Sequence, residues 1–271
     1  MLQFEFMRLA FLASGLAALL SGVTGWFLVL RRQSFAGHAL SHIGFAGAAA
    51  SLWAGLPPLA GLMLTAGLGG TVMGTSGARQ EQHDVAIGLT LAFSMGAGML
   101  FLHLLNGPAR RATALLFGNV MGIDTPTLIC LTVTVLAGLA GMALLARPLL
   151  FLSLQPELAE ARGVPVRLIS GLFLGLTGLA TAACAEVTGV LLVFTLMIGP
   201  GATALRLGLT PLAGLAAAAG LAVAEAWGGL ALAWQSDAPV SFCIALLSLL
   251  VFGLTTLRMK RKNGDVQNTQ F

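Results

Sequence analysis

Residues 34–51 read SFAGHALSHIGFAGAAAS. No side chain in this run carries a formal charge, and apart from two histidines every residue is small, apolar or hydroxyl-bearing. A helix needs about 20 predominantly apolar residues to cross a bilayer, so the stretch reads as a transmembrane helix. His38 and His42 are four positions apart and share one face of that helix. Polar side chains inside lipid are costly and usually face a cavity or pathway. Two imidazoles at this spacing, with Ser41 between them, point to a metal or proton path, because His-x3-His presents two nitrogens to one ion.

The whole chain repeats this composition. Its 271 residues are 57% hydrophobic and 9% charged, with a mean hydropathy of +0.93. A soluble domain carries about 25% charged residues, so most of this chain must lie in lipid. Nine apolar segments fall near 9–30, 35–55, 57–75, 85–105, 126–148, 168–185, 188–205, 209–232 and 239–257. The expected fold is an all-α integral membrane protein, a polytopic helical bundle of 8–9 transmembrane helices. The count depends on 168–185 and 188–205, two shortish runs divided by Glu186 and Gly189, which a broken or re-entrant helix also explains. Long apolar runs without period-two alternation argue against a barrel. Residues 1–258 read as a single transmembrane domain and 259–271 as a basic, polar cytoplasmic tail.

Basic residues set the orientation. With the C-terminus inside, the inner loops hold Arg31, Arg32, Arg79, Arg147, Arg162, Arg167, Arg206, Arg258, Lys260, Arg261 and Lys262. The outer side holds Arg8, Arg110 and Arg111, which favours N-out and C-in. The first span precedes Arg31 and Arg32 instead of following a basic cluster, so it reads as retained and not as a cleaved leader.

Several function classes drop out. The net charge of +4 comes without a basic stripe, and both lysines lie in the tail, so no nucleic-acid partner is expected. There is no G-x-x-x-x-G-K-[ST] sequence, so ATP phosphates would have to be bound by another chain. No GxSxG elbow occurs, and Ala39 stands where a zincin HExxH would place its Glu. Cys130, Cys184 and Cys243 are far apart, form no CxxC, and read as small core residues.

Other ionisable residues within or beside spans are Glu186, His103 and Glu225. Glu186 divides two apolar segments and is a candidate third ligand or a cap for the next helix. His103 and Glu225 read first as interfacial or hydrogen-bonded side chains. Asp124, before Thr125-Pro126, reads as a helix N-cap. His83 and Asp84 fall in the polar stretch TSGARQEQHD (75–84), read as an inner loop. The longer inner stretch SLQPELAEARGVPV (153–166) has Pro156 at a first helical position, Glu157 and Glu160 near the start, and Gly163-Val164-Pro165 as a stop. It predicts a short amphipathic helix, either a plain connector or a docking element.

Four ordered motifs carry a family resemblance: GHALSHIGFAGAA (37–49), LLFGNVMGI (115–123), QPELAEARGVPVRL (155–168) and EVTGVLLVFTLMIGPGATALRL (186–207). With SDAP (236–239), they make the chain, over about residues 8–257, resemble the membrane permeases of zinc/manganese-type ABC importers, the ABC-3 family. The resemblance implies a permease homodimer in the bacterial cytoplasmic (inner) membrane, driven by two cytoplasmic ATPase subunits and supplied by an extracytoplasmic metal-binding protein. It implies no permanently bound cofactor; the cargo would be Zn2+, Mn2+ or Fe2+, with ATP on the partner subunit. Gln155, Pro156, Glu157, Leu158, Ala159, Glu160, Ala161, Arg162 and Gly163 would form the coupling helix. The family's second span carries G-D-[AT]-[LI]-[SA]-H, whose Asp and His are thought to handle the metal. Here His42 takes the His position and His38 replaces the Asp. Imidazole for carboxylate leans the site from Mn(II) toward Zn(II) and removes a negative charge that a further carboxylate, such as Glu186 or one on a facing protomer, would restore. A proton-driven secondary carrier and a permease for a metal chelate are the alternative transport readings.

Overall fold

The computed structural model describes residues 3–76, 80–105 and 114–268, with the side chains of 80–86 and 260–268 excepted. Every one of the nine apolar segments is a helix: α1 (Glu5–Leu30), α2 (Ser34–Trp53), α3 (Pro58–Thr75), α4 (Gln80–His103), α5 (Thr125–Leu154), α7 (Val166–Thr188), α8 (Val193–Arg206), α9 (Pro211–Ser236) and α10 (Val240–Asn268), with the short α6 (Pro156–Ala161) between α5 and α7. No strand occurs among the described residues. Proline opens four of the helices, at Pro58, Pro126, Pro156 and Pro211, where its missing N–H would have had no helical acceptor anyway. Asp124 caps α5 as its sequence position predicts: its Oδ1 accepts from the Thr127 N–H at 3.0 Å. Those Thr127 hydrogen bonds hold the Asp124 carboxyl below its ordinary range.

Five helices are each long and apolar enough to cross a membrane: α1, α5, α7, α9 and Val240–Met259 of α10. α1 and α7 are mostly buried and form the centre, while α5 and α10 expose most of their apolar surface. That surface, including Leu144 of α5 and Leu249 of α10, is what a bilayer would cover. In lipid the hydrophobic effect does not drive helices together, so close packing must, and small residues permit it. The α3–α7 contact shows this. Gly70 lies against the Leu174 carbonyl and Gly178 against the Ala66 carbonyl, so a Cβ at either would strike backbone. Gly171 and Gly175, a small-xxx-small pair in the sequence, meet Thr75 and Thr71 of α3.

Arginines tie helix ends on one side of the bundle. The Arg31 guanidinium donates to Ser170 Oγ at 2.9 Å and to Gln33 Oε1 at 3.2 Å, and lies 5.6 Å from the Phe173 ring centroid. Arg206 donates to Thr256 Oγ1 at 2.8 Å and stands 4.5 Å over Phe252, joining the end of α8 to α10.

Three readings of the sequence are corrected. α4 begins at Gln80, so His83 and Asp84 lie in helix and not in a loop; Gln and Glu are good helix formers and extend it outward. Cys184 and Cys243 are buried as expected, but Cys130 is exposed on α5. Gly189 and the turn after it end α7, and α8 has Leu192 at its N-cap, so Glu186 sits in the last turn of α7 and does not cap α8. Arg79, Arg110 and Arg111 lie outside the described residues.

Candidate functional site

α2 starts after a tight corner in which Arg32 takes a left-handed conformation (φ 57°). One turn into the helix, His38 and His42 stack along one face. Their ring centroids are 4.8 Å apart and the rings are nearly perpendicular, at 87°. His38 is half-buried and His42 is buried at 3% exposure. Phe35, on α2, lies 6.0 Å from the His38 ring. Phe194, from the first turn of α8, meets it edge-on at 5.5 Å. The pair is therefore bounded on one side by aromatic carbon and joined through it to a second helix.

The hydrogen bonding of the pair is incomplete. Nδ1 of His38 and Nδ1 of His42 are both buried and find no protein partner. A neutral imidazole has one donor and one acceptor nitrogen, and buried polar atoms are satisfied in the great majority of cases. The hydroxyl between them does not serve either ring: Ser41 Oγ donates to the His38 backbone carbonyl at 2.7 Å. Two imidazoles with unsatisfied buried nitrogens, on one rigid helix, are suited to accept an ion and form only part of a shell. Among the described residues no group of three His, Cys, Asp or Glu side chains is close enough to hold a metal. Glu186 is thus not brought to the histidine pair within one chain. It lies near enough to Asp124 to feel its charge, at the end of α7. His103 closes α4.

Two of the sequence motifs meet each other directly. The Val190 N–H donates to the Leu115 carbonyl at 3.1 Å and the Leu191 N–H to the Leu116 carbonyl at 3.2 Å. Gly118 and Gly189 both have φ of 79° and touch backbone to backbone. This clasp pins 115–123 against the α7–α8 break, which positions the start of α8 and hence Phe194. At φ 79° and ψ 155°, Gly189 occupies a region open essentially to glycine alone. A Cβ there would also strike the Leu116 carbonyl and the Gly118 nitrogen. Gly189→Ala is expected to cost about 1–3 kcal/mol from the backbone conformation alone, and to lower the thermal midpoint of the detergent-purified protein. An unchanged midpoint would show that the break is not held by this clasp.

The overall architecture is shared with solved proteins. The chain aligns with PsaBC from Streptococcus pneumoniae, solved in complex with Fab, at a TM-score of 0.84 and 23% identity, over 93% of this chain and 91% of that one. Residues 3–258 match the ABC 3 transport family. The chain belongs to the ABC-3 family. Among its relatives, the manganese import system permease protein ScaB of Streptococcus parasanguinis is 28% identical, over 92% of this chain and 89% of the relative. The high-affinity zinc uptake system membrane protein ZnuB of Haemophilus influenzae is 26% identical, over 96% and 100%. This ABC-3 chain is accordingly a transport permease and not itself an enzyme. The residues that sequence reasoning did not reach are Phe35 and Phe194. Nothing in their local spacing marks them, because Phe194 reaches His38 only through the way α8 lies against α2.

Proposed function

We propose that this chain is the membrane-spanning subunit of an ATP-driven importer for a divalent transition metal, with zinc favoured. The observation that carries the reading is the His38–His42 pair, whose buried Nδ1 atoms have no protein partner, in a permease whose relatives include manganese and zinc systems. Imidazole suits zinc better than manganese, and among the described residues no carboxylate supplements the pair within one chain. The remaining ligands come from a second copy of the chain facing the first across the pathway, from water, or from a carboxylate such as Glu186 once helices move.

Nine helices serve the crossing in this reading. α8, at 14 residues, is about 21 Å long and too short to span alone. The N-terminus lies outside and the C-terminus inside, which puts Arg31, Arg206 and α6 on the cytoplasmic face of the inner membrane. Residues 1–258 form one permease domain and 259–271 its tail. α6 is the element that meets the ATPase. Its surface supports this: Ala159 is fully buried, Glu157, Glu160 and Leu158 are exposed, and the Arg162 guanidinium lies 5.8 Å from the Phe151 ring centroid. Gly163, with φ 73°, and the Val164 N–H to Ala159 carbonyl bond of 3.1 Å end the helix and turn the chain into α7. A metal-binding protein on the outer side delivers the ion.

The test is a competition assay in vesicles that hold the permease with its ATPase. Unlabelled zinc is expected to suppress uptake of radioactive zinc at lower concentration than manganese does. Stronger competition by manganese would overturn the zinc assignment. Uptake by the chain alone under a proton gradient would overturn the ATP-driven one.

A further inference from the structure

A second polar centre lies in the bundle, on helices α8, α9 and α10. Glu225 is at the middle of α9 and is 3% exposed, and neither carboxyl oxygen completes a hydrogen bond. The α9–α10 register shows what faces it. Gly229 meets Ile244 and Gly228 meets Leu247, so one turn back on α9 and one turn on along α10 Glu225 stands opposite Ser248. Ser248 is itself buried, and its Oγ points at Gly199 of α8, where a Cβ would collide with it. The same serine lines a groove of about 420 Å³ between α8 and α10, with Phe194, Thr195, Gly199 and Phe252 among its walls.

Among the described residues no cation compensates this carboxyl. α9 packs against α1, α8 and α10. The ionisable groups of α1 are Glu5 and Arg8, and Gly15 is level with Trp227, so Arg8 is about 14 Å along the axis from Glu225. On α8 the ionisable group is Arg206, about 10 Å beyond Gly199 and engaged with Thr256. On α10, Cys243 is five positions before Ser248, and Arg258 is about 15 Å beyond it. Asp237, just past the end of α9, adds no positive charge. An unpaired carboxylate among apolar side chains such as Ala222, Ala226 and Ile244 is costly. A divalent ion on one carboxylate would leave a net positive charge in the same place. A proton leaves none.

We propose that Glu225 is a proton-binding site, held as the neutral acid with its O–H directed at the Ser248 hydroxyl. Exchange breaks that O–H bond and passes the proton to a water molecule admitted beside Ser248. Losing the proton leaves a charge at the α9–α10 contact, against the serine that also abuts Gly199 of α8.

Infrared spectroscopy of the full chain in lipid vesicles, without metal, tests this. The expected result is a protonated-carboxyl carbonyl band at neutral pH that is lost in Glu225→Gln, shifted in Ser248→Ala, and unchanged in His42→Ala. The absence of such a band in the wild-type protein would overturn the proposal, as would its survival in Glu225→Gln. If Glu225→Gln does not fold, the Ser248→Ala shift decides, and an unshifted band counts against the assignment. Since no metal is present, failure here leaves the importer reading standing, and failure of metal uptake leaves this one standing.

Discussion

His42→Ala is expected to lower metal uptake at least about tenfold, while Ser41→Ala leaves it near the wild-type rate. Loss of groups that merely orient a metal ligand costs about 10–100-fold in affinity or activity, so loss of a ligand should cost no less. The contrast with Ser41 is informative because both residues are buried on the same turn of α2. The Ser41 hydroxyl is committed to the His38 carbonyl, whereas the His42 nitrogen at Nδ1 is uncommitted. A fold defect would lower both variants through packing; a ligand role lowers one. Uptake of radioactive zinc in vesicles, normalised to folded protein, measures it. Equal, small losses would return the pair to packing.

The second large effect is expected from the cytoplasmic side. Glu157→Arg combined with Glu160→Arg should abolish ATP-driven uptake and leave membrane insertion and thermal stability intact. Both side chains are exposed on a six-residue helix whose only fully buried side chain is Ala159. Surface substitutions away from special backbone features usually fall within about 0.5 kcal/mol of neutral, so the fold should tolerate the reversal. Like charges placed against a partner surface that had been complementary cost several kcal/mol of binding. Co-purification of the ATPase reads out docking directly. Retained co-purification with normal uptake would remove α6 from the coupling role.

The fold was legible because its main determinant is one-dimensional. Long runs without charge have to be helices in lipid, and every one of the nine apolar runs is a helix. Local end signals were legible too: Asp124 caps α5, Pro156 opens α6, and Gly163 ends it. What was hidden depends on helix register. Nothing adjacent to Phe194 in the sequence points at His38, and nothing around Gly118 points at Gly189. Glu225 read as an interfacial or hydrogen-bonded carboxyl, yet it is buried without a completed hydrogen bond, because its surroundings are set by which turn of α10 faces it. The start of α4 was missed since QEQHD is polar enough for a loop and also a good helix former.

The proposed metal path has the cargo ion touching imidazole nitrogen from α2. X-ray absorption spectroscopy on zinc held by the purified, ion-loaded permease tests it most directly. Imidazole scattering is expected in the zinc spectrum and should disappear in His38→Ala/His42→Ala. A shell of oxygen or sulfur ligands alone in the wild-type protein, unchanged by that double substitution, would contradict it.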